Sequence, residues 1–257
     1  MNLLLIYLIL LLACWGSFLN FLAYRLVHDL SFGKLRSVCP RCLYQIAWFD
    51  LIPVLSWCNL RGKCRNCVLP ISKLYPIIEL GTIVILLALY YTTPSAYLPA
   101  YFIFISALLV IIRTDLETML ISRFTTLFLI PIALVFSLTY FKNSQLLPIT
   151  ILESILGTVF GYLILYLVNK IFFLVTKKEG MGQGDMDLLA TIGAFTGIMG
   201  AWISLMVGSI TGSIVGIIML YFGNSKMNTK IPFGPFLALG AIIYTIFQTQ
   251  ILTFLFY

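Results

Sequence analysis

The chain has 257 residues, 61% of them hydrophobic and only 10% charged, with a mean hydropathy of +1.05. Soluble domains carry about 25% charged residues, so an ordinary water-soluble domain is excluded and most of the apolar surface must face lipid or other helices. The net charge of +7 fits loop orientation and anionic headgroups; nucleic acid is set aside as a partner, because the basic loops lack interleaved aromatics or a known binding module.

A helix crosses a bilayer with about 17–25 mostly apolar residues, because every backbone group inside lipid must be satisfied internally. The first candidate span is 3–23. It lacks the basic leader of a signal peptide. Leu11-Leu12-Ala13-Cys14 resembles a lipoprotein cleavage box, but the apolar run continues to Phe21, so the segment is read as a retained helix. The hydrophilic stretch 24–75 follows. In it, Cys39-Pro40-Arg41-Cys42 and Cys64-Arg65-Asn66-Cys67 stand 21 residues apart, the spacing of a four-thiolate zinc site. Arg41, Lys63 and Arg65 favour the thiolate forms. The plainer alternative, two chance pairs of reduced cysteines, does not account for the doubled spacing. Four thiolates leave no open coordination position, so the metal is expected to be structural, closing a hairpin too small to hold a core. Cys14 and Cys58 read as packing residues.

The remaining candidate spans are 76–92, 98–113, 124–141, 150–173, 187–201, 202–222 and 235–256, the sixth and seventh divided only by a tight turn at Met199-Gly200-Ala201. With the N-terminus outside, fifteen of the sixteen Lys and Arg residues fall in cytoplasmic segments and only Lys142 lies outside, the bias that the positive-inside rule demands. That orientation puts the cysteine hairpin in the cytoplasm, where thiols stay reduced. The expected architecture is all-α: a polytopic membrane protein of about eight transmembrane helices with a small zinc-bearing cytoplasmic hairpin. Its expected parts are a first helix (1–23), the zinc-bearing loop (24–75) and a seven-helix membrane domain (76–257).

Of the nine acidic residues, Asp29, Asp50, Glu79 and Glu153 read as interfacial carboxylates. Asp115 and Asp185 stand apart. Asp115 follows the third span in Arg113-Thr114-Asp115-Leu116-Glu117-Thr118, and Asp185 closes Gly182-Gln183-Gly184-Asp185 at the start of the sixth. Ionisable groups at that depth are costly and are functional candidates by default. The glycines let backbone approach a substrate strand closely. Gly-x-Gly-Asp alone is a weak pattern, and a lone aspartate there reads as a helix cap. Two aspartates at one depth make a dyad, in which an ionised carboxylate takes a proton from water and a protonated one donates to a peptide carbonyl. A helix N-terminus makes Asp185 the expected base and Asp115 the expected acid. The sole histidine, His28, excludes a two-histidine zinc site and would have to serve any histidine-based triad. Dinucleotide and phosphate-loop fingerprints are absent.

Other segments add to these. Gly16-Ser17-Phe18-Leu19-Asn20 and Tyr24-Arg25-Leu26 precede the hairpin, which encloses Asp50-Leu51-Ile52-Pro53-Val54-Leu55-Ser56-Trp57 and Leu60-Arg61-Gly62-Lys63-Cys64. Pro70-Ile71-Ser72, Tyr75-Pro76-Ile77-Ile78-Glu79-Leu80, Leu188-Leu189-Ala190 and Ile231-Pro232-Phe233-Gly234-Pro235 complete the set. In this order, over most of the chain, they resemble the type IV prepilin peptidases. These are bifunctional leader peptidase/N-methyltransferases among the Gly-x-Gly-Asp intramembrane aspartyl proteases. The resemblance implies a bacterial inner-membrane enzyme of type IV pilus and type II secretion systems. It would cut the leaders of prepilins and pseudopilins after glycine and methylate the new N-terminus with S-adenosylmethionine. It assigns catalysis to Asp115 and Asp185, zinc to Cys39, Cys42, Cys64 and Cys67, and methylation to a segment that includes Asp50, Gly62, Lys63 and Glu79.

Two departures stand out. The family usually carries proline and an acidic residue where this chain has Ser122-Arg123, and lysine where it has Asp187. Asp187, two residues past Asp185, is expected on another helix face. Three rivals remain at this point: a peptidase without methyltransferase activity, a proton-coupled transporter, which would also use intramembrane carboxylates at glycine-rich helix breaks, and a zinc-bearing membrane scaffold.

Overall fold

Long apolar runs leave the backbone no partner but itself, and the computed structural model of the chain is accordingly helical throughout its membrane-spanning parts. It describes residues 3–28, 37–140, 149–177, 180–222 and 231–256, so Asp29, Lys142, Lys178, Glu179, Lys226 and Lys230 lie outside the described residues. Two compact units divide at Tyr91 and Thr92.

The first unit holds α1 (Leu3–Val27), a short 3₁₀ turn (Trp48–Leu51), α2 (Leu55–Asn59) and α3 (Leu74–Thr92). Helices α1 and α3 meet at Gly16, where a Cβ would stand 3.1 Å from the Cα of Glu79 and from the Cβ of Thr82. One turn on, Asn20 Nδ2 donates to the Tyr75 carbonyl at 3.0 Å. Small residues and buried polar tips are how helices associate where lipid removes the hydrophobic drive.

The second unit runs through α4 (Leu98–Thr118), α5 (Arg123–Leu127), α6 (Leu129–Tyr140), α7 (Ile151–Thr176), α8 (Gln183–Phe222), α9 (Gly234–Ile246) and α10 (Gln248–Phe256). Thr150 and Glu153 start α7 with a reciprocal capping box, which gives Glu153 a structural duty that its interfacial position did not reveal. The buried stripe of α7 is Ser154, Gly157, Gly161 and Leu165. It lies against the first half of α8 so closely that a Cβ on Gly157 or Gly193 would strike the other's carbonyl oxygen. Ser154 Oγ donates to the Ala194 carbonyl at 2.7 Å. The second half of α8 packs on α9, with Ser204 Oγ donating to the Leu237 carbonyl at 2.6 Å.

The all-α expectation holds: the described residues form no strand, only isolated bridges. The count of eight spans is not confirmed. Among the described residues, five helices are long and apolar enough to cross a membrane, or six if α9 and α10, bent by 83°, make one broken span. The expected span 124–141 is divided at Phe128 into α5 and α6. The expected turn at Met199–Ala201 is helical, and the break sits at Gly197 (φ 70°, ψ −172°), a conformation that costs glycine little. Helix α8 has 40 residues, hence a length of about 60 Å at 1.5 Å per residue, twice the roughly 30 Å of a bilayer core.

Candidate functional site

Each cysteine pair folds as a tight knuckle, and the two knuckles repeat one another. Cys39 N–H donates to Tyr44 O and Leu43 N–H to Cys39 O, both at 2.9 Å; Cys64 N–H donates to Leu69 O at 2.9 Å and Val68 N–H to Cys64 O at 3.0 Å. Leu43 (φ 57°) and Val68 (φ 58°) occupy the same left-handed position, and antiparallel bridges Val38–Gln45 and Lys63–Pro70 close the two bases. Cys39–Gln45 and Cys64–Pro70 are thus a local repeat whose only clear sequence signal is Cys-x-x-Cys followed by an aliphatic residue.

The knuckles bring all four sulfurs within 4.8 Å of one another, and Cys39 Sγ lies 3.9 Å from Cys67 Sγ. A tetrahedral zinc with bonds of about 2.3 Å needs sulfurs about 3.8 Å apart, so the donor set fits the metal. The Tyr44 N–H, then Asn66 and the other sulfurs, pull the Cys42 thiol down to about 6 against burial. The N–H groups of Cys67 and Asn66 lower Cys64. Although the Leu69 N–H favours its thiolate, Cys67 is pushed up to about 11 by burial and the other sulfurs. Backbone dipoles therefore prepare the first thiolates, and a divalent cation would overcome the repulsion that holds back the last.

Helix α4 carries Asp115 further inside the helix than the sequence suggests. It sits in the last turn, 4% exposed, before the left-handed cap at Met119 (φ 56°). Arg113 and Glu117 flank it with a bond of 2.6 Å between them. Asp185 sits in the first turn of α8. The two aspartates share a neighbour, the Ile121 side chain, which lies against Gly184 next to Asp185 and against Gly234 beside Asp115. Asp115 Oδ2 accepts the Gly234 N–H at 3.1 Å.

Residues that sequence reasoning left without a role hold this arrangement. The Ile121 side chain lies between two glycines: a Cβ on Gly184 would stand 2.8 Å from its Cβ, and one on Gly234 would stand 2.9 Å from its Cδ1 and 2.7 Å from Asp115 Oδ2. Arg123 Nε then binds Asp187 Oδ2 at 2.9 Å, with the Asp187 side chain 2% exposed and that of Arg123 57% exposed. One turn along, Thr191 Oγ1 donates to the Thr126 carbonyl at 3.0 Å. Two contacts thus tie α5 to the start of α8. The two departures at Arg123 and Asp187 thus meet as one acid–base pair.

Comparison with known proteins decides the family. Residues 10–93 match the bacterial peptidase A24 N-terminal domain, and residues 102–217 match the type IV leader peptidase family. A prepilin leader peptidase/N-methyltransferase of Aeromonas hydrophila is 36% identical over 209 residues, covering 81% of this chain and 70% of the relative. Its counterpart in Pseudomonas aeruginosa is 37% identical over 221 residues, covering 84% and 72%. The chain belongs to the type IV leader peptidase family. No solved structure matches it.

The leader peptidase fold engages the four expected methylation positions locally. Asp50 is held by Arg65, from Nε at 2.8 Å and Nη2 at 2.7 Å; that guanidinium keeps its carboxyl below the usual range. Glu79 Oε2 accepts the Val54 N–H at 2.7 Å. Gly62 (φ +68°) lies under the Trp57 ring, where a Cβ would stand 2.7 Å from Cζ2. Lys63 sits in the bridge to Pro70. These contacts shape the hairpin around the four positions. The named relatives are leader peptidase/N-methyltransferases, and the transporter and scaffold readings gain no support from them.

Proposed function

We propose that this leader peptidase is an intramembrane aspartyl endopeptidase in which Asp115 and Asp185 cut prepilin and pseudopilin leaders after glycine. One observation supports the assignment: α4 and α8, distant in sequence, bring Asp115 and the Gly184-Asp185 turn against the same Ile121 side chain, with Asp115 bonded to the Gly234 N–H. One carboxylate, ionised, takes a proton from water as the oxygen bonds to the peptide carbonyl carbon. The other, protonated, gives its proton to the carbonyl oxygen. Collapse of the tetrahedral diol breaks the C–N bond, and the departing amine takes up a proton from the dyad. The pair shares the protons, so neither residue is assigned one role throughout.

The relatives' names support a second activity: methylation of the new N-terminus, with S-adenosylmethionine supplying the methyl group. The four cysteines would hold zinc, which stiffens the hairpin and takes no part in cleavage. The proposed functional division follows the chemistry, with methylation associated with 24–75 and proteolysis with 76–257. The bacterial inner membrane, with the N-terminus outside and the zinc loop in the cytoplasm, is the proposed location, on the strength of the charge bias.

The test is cleavage of a prepilin with a glycine-ended leader, followed by mass. Asp115→Asn and Asp185→Asn are each expected to slow cleavage by roughly 10²–10⁴-fold while zinc content and extraction from the membrane stay unchanged. The replacements are nearly isosteric, so lost packing cannot mimic the result. A variant that removes the leader at the wild-type rate overturns the assignment.

A further inference from the structure

The first unit leaves an apolar segment uncovered. Trp48 is 80% exposed and Leu55 68%, with Phe49, Leu51 and Ile52 also exposed between them. Two helices fix the depth of this segment. Asn20 on α1 and Tyr75 on α3 stand side by side, and from that level each helix runs 18 residues to its far end at Leu3 or Thr92. Eighteen residues at 1.5 Å span about 27 Å, close to the roughly 30 Å of a bilayer's hydrocarbon core. The Asn20–Tyr75 level is therefore a boundary of the membrane, and Glu79 lies one turn inside it.

The apolar segment is tied to that turn. Glu79 Oε2 accepts the N–H of Val54 at 2.7 Å. Val54 (φ 62°, ψ −51°) is the centre of a γ-turn closed by Leu55 N–H on the Pro53 carbonyl at 2.6 Å. A β-branched residue rarely adopts this strained geometry, and it persists only where its surroundings impose it. Its carboxylate partner holds the turn down at the boundary, with the exposed side chains of residues 48–55 around it. Tryptophan and aliphatic residues at that depth belong to the headgroup–acyl interface. The hairpin 37–73 also carries five basic residues and one acidic residue, a balance that suits anionic headgroups.

We infer that Trp48–Leu55 is a monotopic membrane anchor, seated in the lipid interface beside α1 and α3, with Trp48, Leu51, Ile52 and Leu55 against lipid. The occupant of this surface is the bilayer itself. The hairpin is thereby held against the membrane surface by a third contact besides its two spans.

The test uses the full chain with one copy per lipid nanodisc of phosphatidylethanolamine and phosphatidylglycerol, which excludes a second copy as the cover. Trp48 emission is obtained by difference against Trp48→Phe, a change at an exposed ring that leaves the other tryptophans in place. Lipid brominated near the top of its acyl chains is expected to quench Trp48 roughly twofold, and lipid brominated near the chain ends much less, as for a ring about 5–10 Å into the interface. Aqueous iodide is expected to have little effect. Strong quenching by iodide without quenching by bromolipid overturns the anchor. A ring shielded from both quenchers is covered by protein, and that result overturns it as well.

Discussion

The side chain of Ile121 lies between the glycines that adjoin Asp115 and Asp185. It occupies the space that a Cβ at Gly184 or Gly234 would need, so these two positions tolerate nothing larger than glycine without moving a carboxylate or its donor. Arg123 and Asp187 fix where that wedge sits. They touch no reacting atom in this scheme and act as positioning residues. Removing Arg123 leaves the Asp187 carboxylate, 2% exposed, without its ion partner; open access on the arginine side limits the cost to about 1–3 kcal/mol. Arg123→Glu and Asp187→Lys are each expected to lower kcat with little change in KM, because like charges would push α5 from α8 and shift Ile121. The double reversal restores the pair with opposite polarity and should recover most of the rate, a coupling of about 0.5–3 kcal/mol across the cycle. A double variant no better than the sum of the singles would show that the pair does not position the dyad.

At the scale of elements, the proposed zinc would matter to the hairpin far more than to the helices. Its two knuckles contribute two ligands each, and neither buries enough apolar surface to stand alone. Purified protein should carry about one zinc per chain, read by elemental analysis. Cys39→Ser and Cys67→Ser should cost similar stability, since the knuckles repeat one geometry, and both should expose the hairpin to protease. A metal-free preparation with native protease resistance would sink the zinc assignment. Helices α7 and α8 need no such staple. Their glycine faces let the backbones approach closely, and dispersion replaces the hydrophobic drive that lipid cannot supply.

For the whole molecule, the unsettled quantity is the number of crossings. The proposed orientation, drawn from the charge bias, would put the 24–75 loop inside and Lys142 outside. That assignment requires 124–141 to cross, and α5 and α6 within it are short and divided at Phe128. Reporter fusions after Lys73 and after Lys142 should fall in opposite compartments. If both report the cytoplasm, the divided pair does not cross and the orientation of every later helix must be redrawn.

The sequence alone determined the helical class, the cysteine ligands and the two aspartates as candidates. Each is local information: an apolar run must satisfy its own backbone in lipid, and Cys-x-x-Cys closes its turn within a few residues. The break at Gly197 was not legible, because apolar composition runs through it without interruption and packing selects where backbone hydrogen bonding yields. The division of α5 from α6, by contrast, has a sequence signal in Pro131, which has no N–H for the Leu127 carbonyl. Nor does any periodicity announce that Gly234 will donate to Asp115 across 119 residues, or that Arg123 will meet Asp187 across 64. The tertiary structure decided those contacts, since helices in lipid meet through small residues and single polar tips that leave no repeating mark on the chain.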